Sequence, residues 1–437
     1  MITRYPSLGS SSASPMVVSL SDGVALDAFG RLRVSEAYTL FDSQQEYGID
    51  TLRTWDATAN GTLSIGTGSS NGSVSSGSNA VGPTDANTRM TPITVSSTSG
   101  HYSILQSRQY IRYVPGKSHL VLMTGIFSPG TVANCDARVG YFDVANGIFL
   151  KVTNGVNSIV RRTSTSGSAV DTEILQSAWN IDKFDGTGVS GITIDLTKTQ
   201  ILFIQAQWLG VGRVIVGFDV AGVLYPAHQF VNANSLSVPY TQTFSLPVRL
   251  ELRNTGTSSG APTIQFVCCS VQSEGGVTPR GYPFTAPASV TTIGVTTRRP
   301  VMSIRPKATY NSRTNRAHIN EVNVYLKATT NDALYEIVIG GTLTGAAFAS
   351  VGANSLAEVD VAATAITGGI AIYADFVISG SGSKGGVSGA NIDARNPLTI
   401  SQIDSLTATQ VPITLVCTSV TGTSNIASGM NWHELAI

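Results

Sequence analysis

The sequence predicts an all-β protein made of two β-sandwich or jelly-roll domains with an extended N-terminal arm. Runs rich in Val, Ile, Phe, Tyr and Thr follow one another from about residue 90, and Gly, Pro and Asn separate them. Almost no stretch has the 3.6-residue period of an amphipathic helix. About ten such runs in succession, spaced roughly 8–12 residues apart, are typical of a sandwich or a jelly roll.

Changes in composition divide the 437 residues into five segments. Gly, Ser and Pro dominate the start of the chain, and a Pro/Gly/Thr-rich stretch marks the boundary between two β-rich regions. The segments are an extended N-terminal arm or assembly segment (1–56), a Gly/Ser-rich loop (57–89), a jelly-roll-like β-sandwich (90–275), a linker (276–300) and a C-terminal β-sandwich (301–437).

Local patterns give three finer predictions for the first sandwich. The pair Asn146-Gly147 lies between two apolar runs and predicts a β-hairpin. In residues 247–254, apolar and charged residues alternate, which predicts a half-buried antiparallel strand with Arg249 and Glu251 on the outer face. The adjacent Cys268 and Cys269 are expected to point to opposite faces of a strand.

The charge content is low and balanced. Only 12% of the residues are charged, against about 25% in an average protein, and 27 basic residues match 27 acidic ones. This balance argues against nucleic acid and anionic membranes as partners, since both require a basic surplus. No apolar run reaches membrane-spanning length and no signal peptide is visible, so we expect cytoplasmic synthesis and free, mostly buried thiols.

Motifs for chemistry are missing from the sequence. The five histidines form no HExxH or HxH pattern, and neither a nucleophile elbow nor a phosphate-binding loop is present. We therefore expect no catalytic residue, no metal and no cofactor. The carboxylates of a sugar-cleaving pair could come from Asp182, Asp185, Asp195 and Asp219, but their spacing favours no pair, and the sequence around Asp185 predicts a turn.

Two sets of side chains have both a binding and a structural interpretation. The rings of Trp179, Trp208 and Tyr225 could contact a glycan by stacking, or could pack in the sandwich core. A second set could bind an acidic partner or form cross-strand pairs; it consists of Arg108, Arg112 and Arg249.

The segment ALDAFGRLRVSEAYTLFDSQQEYG (25–48) resembles the N-terminal stretch of a family of virion structural proteins from large tailed phages. Its core is RLRVSEAYTLFDSQ, with Ala37 where relatives tend to have Pro. Further similarity covers 108–127, 139–150, 205–230 and 245–256. The resemblance implies a virion component without enzymatic activity, and leaves capsid decoration, neck, baseplate and fibre open.

The middle region also resembles a concanavalin-type jelly roll of the lectin-like laminin-G kind, from the order of GYFD, NGIFL and the WLGVGRVIVGF hairpin. Such modules often bind calcium and glycans, and no calcium ligand set can be mapped onto this chain.

The resembling segment is the predicted assembly segment. Ordering an extended chain costs about 1–2 kcal/mol per residue, so such a chain is expected to dock on something, either a neighbouring subunit or its own sandwich. Arg31, Arg33 and Asp42 are its predicted polar anchors. The predicted contact residues are Leu26, Phe29, Arg31, Leu32, Arg33, Val34, Tyr38, Leu40, Phe41 and Asp42.

Together these observations predict a non-enzymatic structural component of a tailed-phage virion, located on the capsid or the tail. Its expected partners are other virion proteins and further copies of itself, with a trimer as the favoured homo-oligomer. One alternative is a host-binding fibre or lectin-like adhesin that contacts a host surface glycan. Another is a glycan depolymerase.

Overall fold

The computed structural model describes residues 2–3, 19–20, 37–50, 53–60, 79–276, 281–287, 293–380, 388–392 and 410–435. Within these ranges every ladder between named strands is antiparallel, and the helical content is one 3-10 turn, Gln176–Ala178. The predicted all-β fold class is confirmed. In the same ranges no helix is long and apolar enough to cross a membrane.

Turns and loops of different lengths join the strands of the described chain. Up to the first domain boundary they are β1 (Ile2–Thr3), β2 (Ser19–Leu20), β3 (Tyr38–Gln44), β4 (Thr54–Asn60), β5 (Ala80–Val81), β6 (Thr91–Thr94), β7 (His101–Ser107), β8 (His119–Ile126), β9 (Cys135–Phe142), β10 (Gly147–Thr153), β11 (Val156–Thr163), β12 (Val170–Leu175), β13 (Gln200–Ala206), β14 (Val214–Val220), β15 (Val223–Phe230), β16 (Val248–Asn254) and β17 (Thr263–Ser273).

After the boundary they are β18 (Tyr282–Pro287), β19 (Ile293–Val295), β20 (Arg299–Pro306), β21 (Thr309–Tyr310), β22 (Arg313–Thr314), β23 (His318–Ala328), β24 (Ala333–Ile339), β25 (Thr342–Thr344), β26 (Ala349–Ser350), β27 (Ala357–Asp360), β28 (Ala365–Thr367), β29 (Ile370–Val377), β30 (Ser388–Ile392), β31 (Ile413–Ser419) and β32 (Ser424–Leu435).

The first sandwich has two sheets. One has the order β12-β11-β10-β9-β16-β7-β4, and the other has the order β15-β14-β13-β8-β17-β6-β5, with β3 also paired to β17. The strands β9 to β12 follow one another in one sheet and β13 to β15 in the other, and the chain crosses between the sheets at other places, as from β8 to β9 and from β16 to β17. Inward side chains such as Val139, Leu250, Met123 and Phe266 form one buried core.

The predicted hairpin at Asn146-Gly147 joins β9 to β10 and is confirmed. The Asp143 carboxylate closes the turn, because its Oδ1 accepts the N–H groups of Ala145 and Asn146 at 2.8 and 2.7 Å. Gly147 has φ +142°, and a Cβ there would collide with Phe142, so the position requires glycine.

Two other local predictions have different outcomes. Cys269 is buried in the core while Cys268 is half-buried and outside it, which confirms their opposite directions. The predicted antiparallel strand is present as β16, but its predicted half-burial is wrong: Leu250 and Leu252 face the core, and Arg249 and Glu251 on the other face are each only 1% exposed. Charged neighbours from other strands, which the local sequence does not reveal, surround them.

The second sandwich has its own core. Its sheets have the orders β18-β32-β23-β30, with β19 also paired to β32, and β26-β27-β20-β31-β24-β29. Two-stranded ladders β21–β22 and β25–β28 accompany these sheets. Near the start of the chain, β1 and β2 form a separate two-stranded ladder. The inward side chains include Tyr335, Ile337, Leu415, Met430 and Trp432.

The structure differs from the predicted segment boundaries in two places. Strands β3 and β4 belong to the first sandwich, although residues up to 56 were expected in the arm, and β5 lies in the predicted loop. Strands β18 and β19 lie in the predicted linker 276–300 but pair with β32 of the second sandwich. These strands have two to seven residues each, too few for alternation to identify them.

Candidate interaction surface

The described half of the predicted assembly segment is a strand of its own sandwich. Strand β3 pairs with β17, with Phe41 opposite Val271. Phe41 is 6% exposed in the core, Leu40 packs against the same core, and Tyr38 is largely exposed. Asp42 accepts a hydrogen bond from Arg53 Nη1 at 2.6 Å. For this half, the structure therefore selects the intramolecular clasp over contact with a neighbouring subunit.

The other half of the assembly segment lies outside the described residues. It comprises Leu26, Phe29, Arg31, Leu32, Arg33 and Val34.

The three candidate glycan-contact rings do not form one cleft. Trp179 is 3% exposed and packs near Phe218 in the core, so it is wrong as a glycan contact. Trp208 is partly buried and its Nε1 donates to Thr241 Oγ1 at 2.9 Å. Tyr225 packs against the core from β15. Core packing, the second interpretation of these rings, describes them better than a stacking platform.

Asp182, one of the four candidate catalytic carboxylates, organises a loop. Its Oδ1 accepts the N–H of Phe184 at 2.8 Å and its Oδ2 accepts the N–H of Ser190 at 2.7 Å. Burial raises the pKa of Asp182, but the N–H groups of Ser190 and Phe184 outweigh burial and leave this pKa lowered. A Cβ at Gly188 would collide with the carboxylate, so the loop fits closely around it.

The other three carboxylates close exposed turns. Asp185 accepts the hydroxyl of Thr187 at 2.6 Å, and Asp195 accepts that of Thr197 at 2.6 Å. These hydroxyls, followed by the N–H groups of the same threonines, lower the pKa of both carboxyls. Asp219 accepts a backbone N–H across its own turn at 2.8 Å. The predicted turn at Asp185 is confirmed, and carboxyls with a lowered pKa are unsuited to act as a general acid.

A buried charge network lies on the outer face of the seven-stranded sheet. Glu251 accepts Arg249 Nε at 3.0 Å and lies 3.0 Å from Arg253 Nη2 and 3.5 Å from Arg138 Nη1. Arg249 Nη1 also donates to Gln106 Oε1 at 2.9 Å. Burial raises the pKa of Glu251, but Arg249, Arg138 and Arg253 together lower it far more. This carboxylate stays ionised and belongs to the fold.

Aromatic rings continue the network along the same face. The Phe142 and Phe149 rings lie 4.4 Å apart, with Arg249 5.4 Å from the first and Arg162 5.2 Å from the second. Arg162 pairs with Asp171 through two hydrogen bonds of 2.7 and 2.8 Å. Both rings are fully buried. Of the two interpretations of Arg249, cross-strand pairing is the one that the structure supports, because Arg249 bonds to Gln106 on β7, but the side chain is buried and does not face solvent.

In the described part of the chain, side chains of the two sandwiches meet at an ionic contact. Arg316 donates to Asp143 Oδ2 at 3.1 Å, and its guanidinium lies 3.8 Å from the centre of the Tyr110 ring. Tyr110 donates its hydroxyl to the same Asp143 oxygen at 3.1 Å. His318 lies beside this contact, and burial, then the nearby Arg112 cation, lowers its pKa to about 4. The charge pair of Arg316 and Asp143 therefore links the two sandwiches.

The most exposed apolar feature of the second sandwich is strand β29 at the edge of the six-stranded sheet. Seven of its eight residues are exposed. Phe376 is 57% exposed and the following Ile378 is 66% exposed. The large apolar side chains of this edge are Ile370, Ile372, Tyr373, Phe376 and Ile378.

A second apolar surface, here called the end patch, lies on two loops at one end of the first sandwich. Backbone and side-chain bonds hold the loops together, from Tyr240 N–H to Gly210 O at 2.9 Å and from Asn232 Nδ2 to Gly212 O at 2.7 Å. The exposed side chains of the end patch are Leu209, Val211, Val231 and Val238.

A shallow depression of about 240 Å³ lies on the second sandwich. It is lined by Pro283, Phe284, Thr285, Asn323, Asn431, Trp432 and His433. In the described part of the chain, no group of three or more His, Cys, Asp or Glu side chains is arranged to hold a metal ion.

Comparison with known proteins gives little further information. No family model matches the chain, and no curated protein matches it. Solved structures with local similarity include a glycosyl hydrolase family protein from Mycobacterium fortuitum, with 14% identity over 53% of this chain and 99% of that one, at a TM-score of 0.33. A Bacillus licheniformis β-glucanase has 9% identity over 57% and 100%, at 0.30.

A third similar structure is an immunostimulatory antigen and pseudo β-1,3-glucanase of Mycobacterium tuberculosis, with 10% identity over 54% of this chain and 98% of that one, at a TM-score of 0.35. Scores this low carry no argument about the chain, and the fold assignment rests on its own sheets.

Proposed function

We propose that this protein is a non-enzymatic structural component of a tailed-phage virion, which binds other virion proteins and further copies of itself on the capsid or the tail. The observation that carries the proposal is the apolar edge strand β29, in which Asp375 is the single charged residue among the exposed side chains. An exposed apolar edge is a liability in a protein that works alone, and a binding surface in one that assembles.

The contacts of the carboxylate side chains support the same function. Three of the four candidate catalytic carboxylates, Asp182, Asp185 and Asp195, hold loops or turns and have a lowered pKa. The buried Glu251 neutralises arginines within the fold. A glycan depolymerase requires one carboxyl with a raised pKa beside an ionised one. This arrangement therefore favours a structural role over the depolymerase.

The resemblance of residues 25–48 to virion structural proteins is the reason for proposing a phage particle as the assembly. In the described half of that segment, β3 is part of the first sandwich, so residues 23–36 are the proposed contact with other virion proteins. The end patch on the first sandwich offers a separate apolar surface for such a partner.

The experiment is quantification of the protein in purified phage particles and in the residual lysate by mass spectrometry. We expect a constant copy number per particle. A variant with residues 23–36 replaced by an equal length of Gly/Ser should keep the melting temperature of both sandwiches and be lost from particles. Absence of the unaltered protein from particles would refute the proposed function.

A second candidate function, glycan binding, is favoured by the depression on the second sandwich. An aromatic ring beside amide and imidazole groups supplies the stacking and hydrogen bonding that sugars require. The test is binding to an array of host surface glycans. Asn431→Ala at the depression should abolish binding, whereas Asn354→Ala on an exposed loop should not; equal binding by both variants would exclude the depression.

A further inference from the structure

Among the described strands, β29 has a pairing partner on one side only. On one side it pairs with β24 along its full length, from Ala333 opposite Val377 to Ile339 opposite Ile370. On the other side no described strand pairs with it. The N–H and C=O groups on an open edge are satisfied by a further strand, which makes the edge a template for β-addition.

Strands β12, β15 and β18, at other sheet edges, have features that oppose such pairing. Strand β12 carries Asp171 and Glu173, β15 contains Pro226 and lies next to a bulge, and β18 contains Pro283 and ends in a second proline. Strand β29 has no proline, and Asp375 is its single charged residue. The protected edges are poor partners for β29, whereas a second β29 is not.

We propose that β29 pairs edge to edge and antiparallel with β29 of a second copy of this chain. The inference rests on the proposed function and names one of its partners. Two identical strands place apolar side chains against apolar side chains, and the Asp375 carboxylate is already bonded to the Phe376 N–H at 2.8 Å. Such a contact has a two-fold axis, so the resulting unit is a dimer in place of the trimer favoured by the sequence.

The size of the contact sets its strength. Stable interfaces bury about 1,200–2,000 Å² in total, which two eight-residue strands alone do not reach. We therefore expect a dimer that forms at micromolar concentration and becomes complete at the high local concentration of an assembly.

The test is sedimentation velocity of the full chain over a range of concentrations. We expect a monomer–dimer equilibrium that Ile372→Lys weakens at least about tenfold, because a charged side chain replaces an apolar cross-strand contact at the edge. Val170→Lys, on the exposed edge strand β12, is the matched control and should dimerise normally. Equal melting temperatures show that both variants are folded.

A photo-crosslinker at Ala374, which is exposed on β29, identifies the contact in a mixture of unlabelled and ¹⁵N-labelled protein. Crosslinks between labelled and unlabelled β29 peptides support the proposal. A monomer at every concentration, a trimer, or normal dimerisation of Ile372→Lys overturns it. If the protein is nevertheless present in particles, only this inference fails and the proposed function stands.

Discussion

Replacing Phe41 with alanine tests whether the phage-like segment is built into the first sandwich. The ring is 6% exposed in the core, and its strand hydrogen-bonds to β17. Buried Phe→Ala changes cost about 3–5 kcal/mol, and the short strand β3 can relax, so we expect about 3 kcal/mol. At about 2–4 °C per kcal/mol for a domain of this size, the first sandwich should melt roughly 6–12 °C lower.

Differential scanning calorimetry of the full chain measures this effect, because the two cores can give separate transitions. Tyr38→Ala on the same strand is the control, since Tyr38 is about half exposed and its loss should cost about 0.5 kcal/mol or less. An unchanged first transition in Phe41→Ala would show that the segment does not clasp its own sandwich, and would reopen its role as a free assembly arm.

Three further predictions concern ionisable side chains that are buried or partly buried. Glu251→Gln should destabilise the first sandwich by about 3–5 kcal/mol by leaving buried arginines unpaired, whereas the control Glu173→Gln should cost under about 1 kcal/mol; equal urea midpoints would contradict this. Burial lowers the pKa of His119 to about 4, so its stabilising effect should be complete above pH 6.5 and decline toward pH 4 by up to about 1.4 kcal/mol per pH unit; an unaltered pH slope in His119→Asn would refute it. Arg316→Ala should leave both melting transitions near their original temperatures but increase the radius of gyration in X-ray scattering, because Asp143 loses its contact across the sandwiches; an unchanged radius would contradict this.

The positions of the strands could be predicted where alternation or turn chemistry is strong. Strand β8 alternates buried and half-buried residues throughout, and Asn146-Gly147 marks the hairpin between β9 and β10. Strand β3 is harder to predict from the sequence, because a bulge shifts its register against β17 and breaks the two-residue period. The local sequence of β3 is therefore compatible with an extended arm as well as with a strand of the sandwich.

Burial on the outer face of a sheet depends on residues distant in sequence. Arg249 and Glu251 follow the pattern of a solvent face, but Gln106 and Arg138 reach them from other strands and keep them buried. Conversely, the apolar run containing β29 predicts a strand but not its position at an edge, which the pairing of β24 and β31 determines. Surface function is therefore the least predictable part of this protein.

The central claim is that the chain works as a fixed part of a virion. The most direct measurement is electron cryo-microscopy of purified particles that carry a gold-labelled version of the protein. We expect label at regularly repeated positions on the capsid or tail, with the protein present as paired or larger assemblies. Unlabelled particles, with the protein free in solution as a monomer, would contradict it.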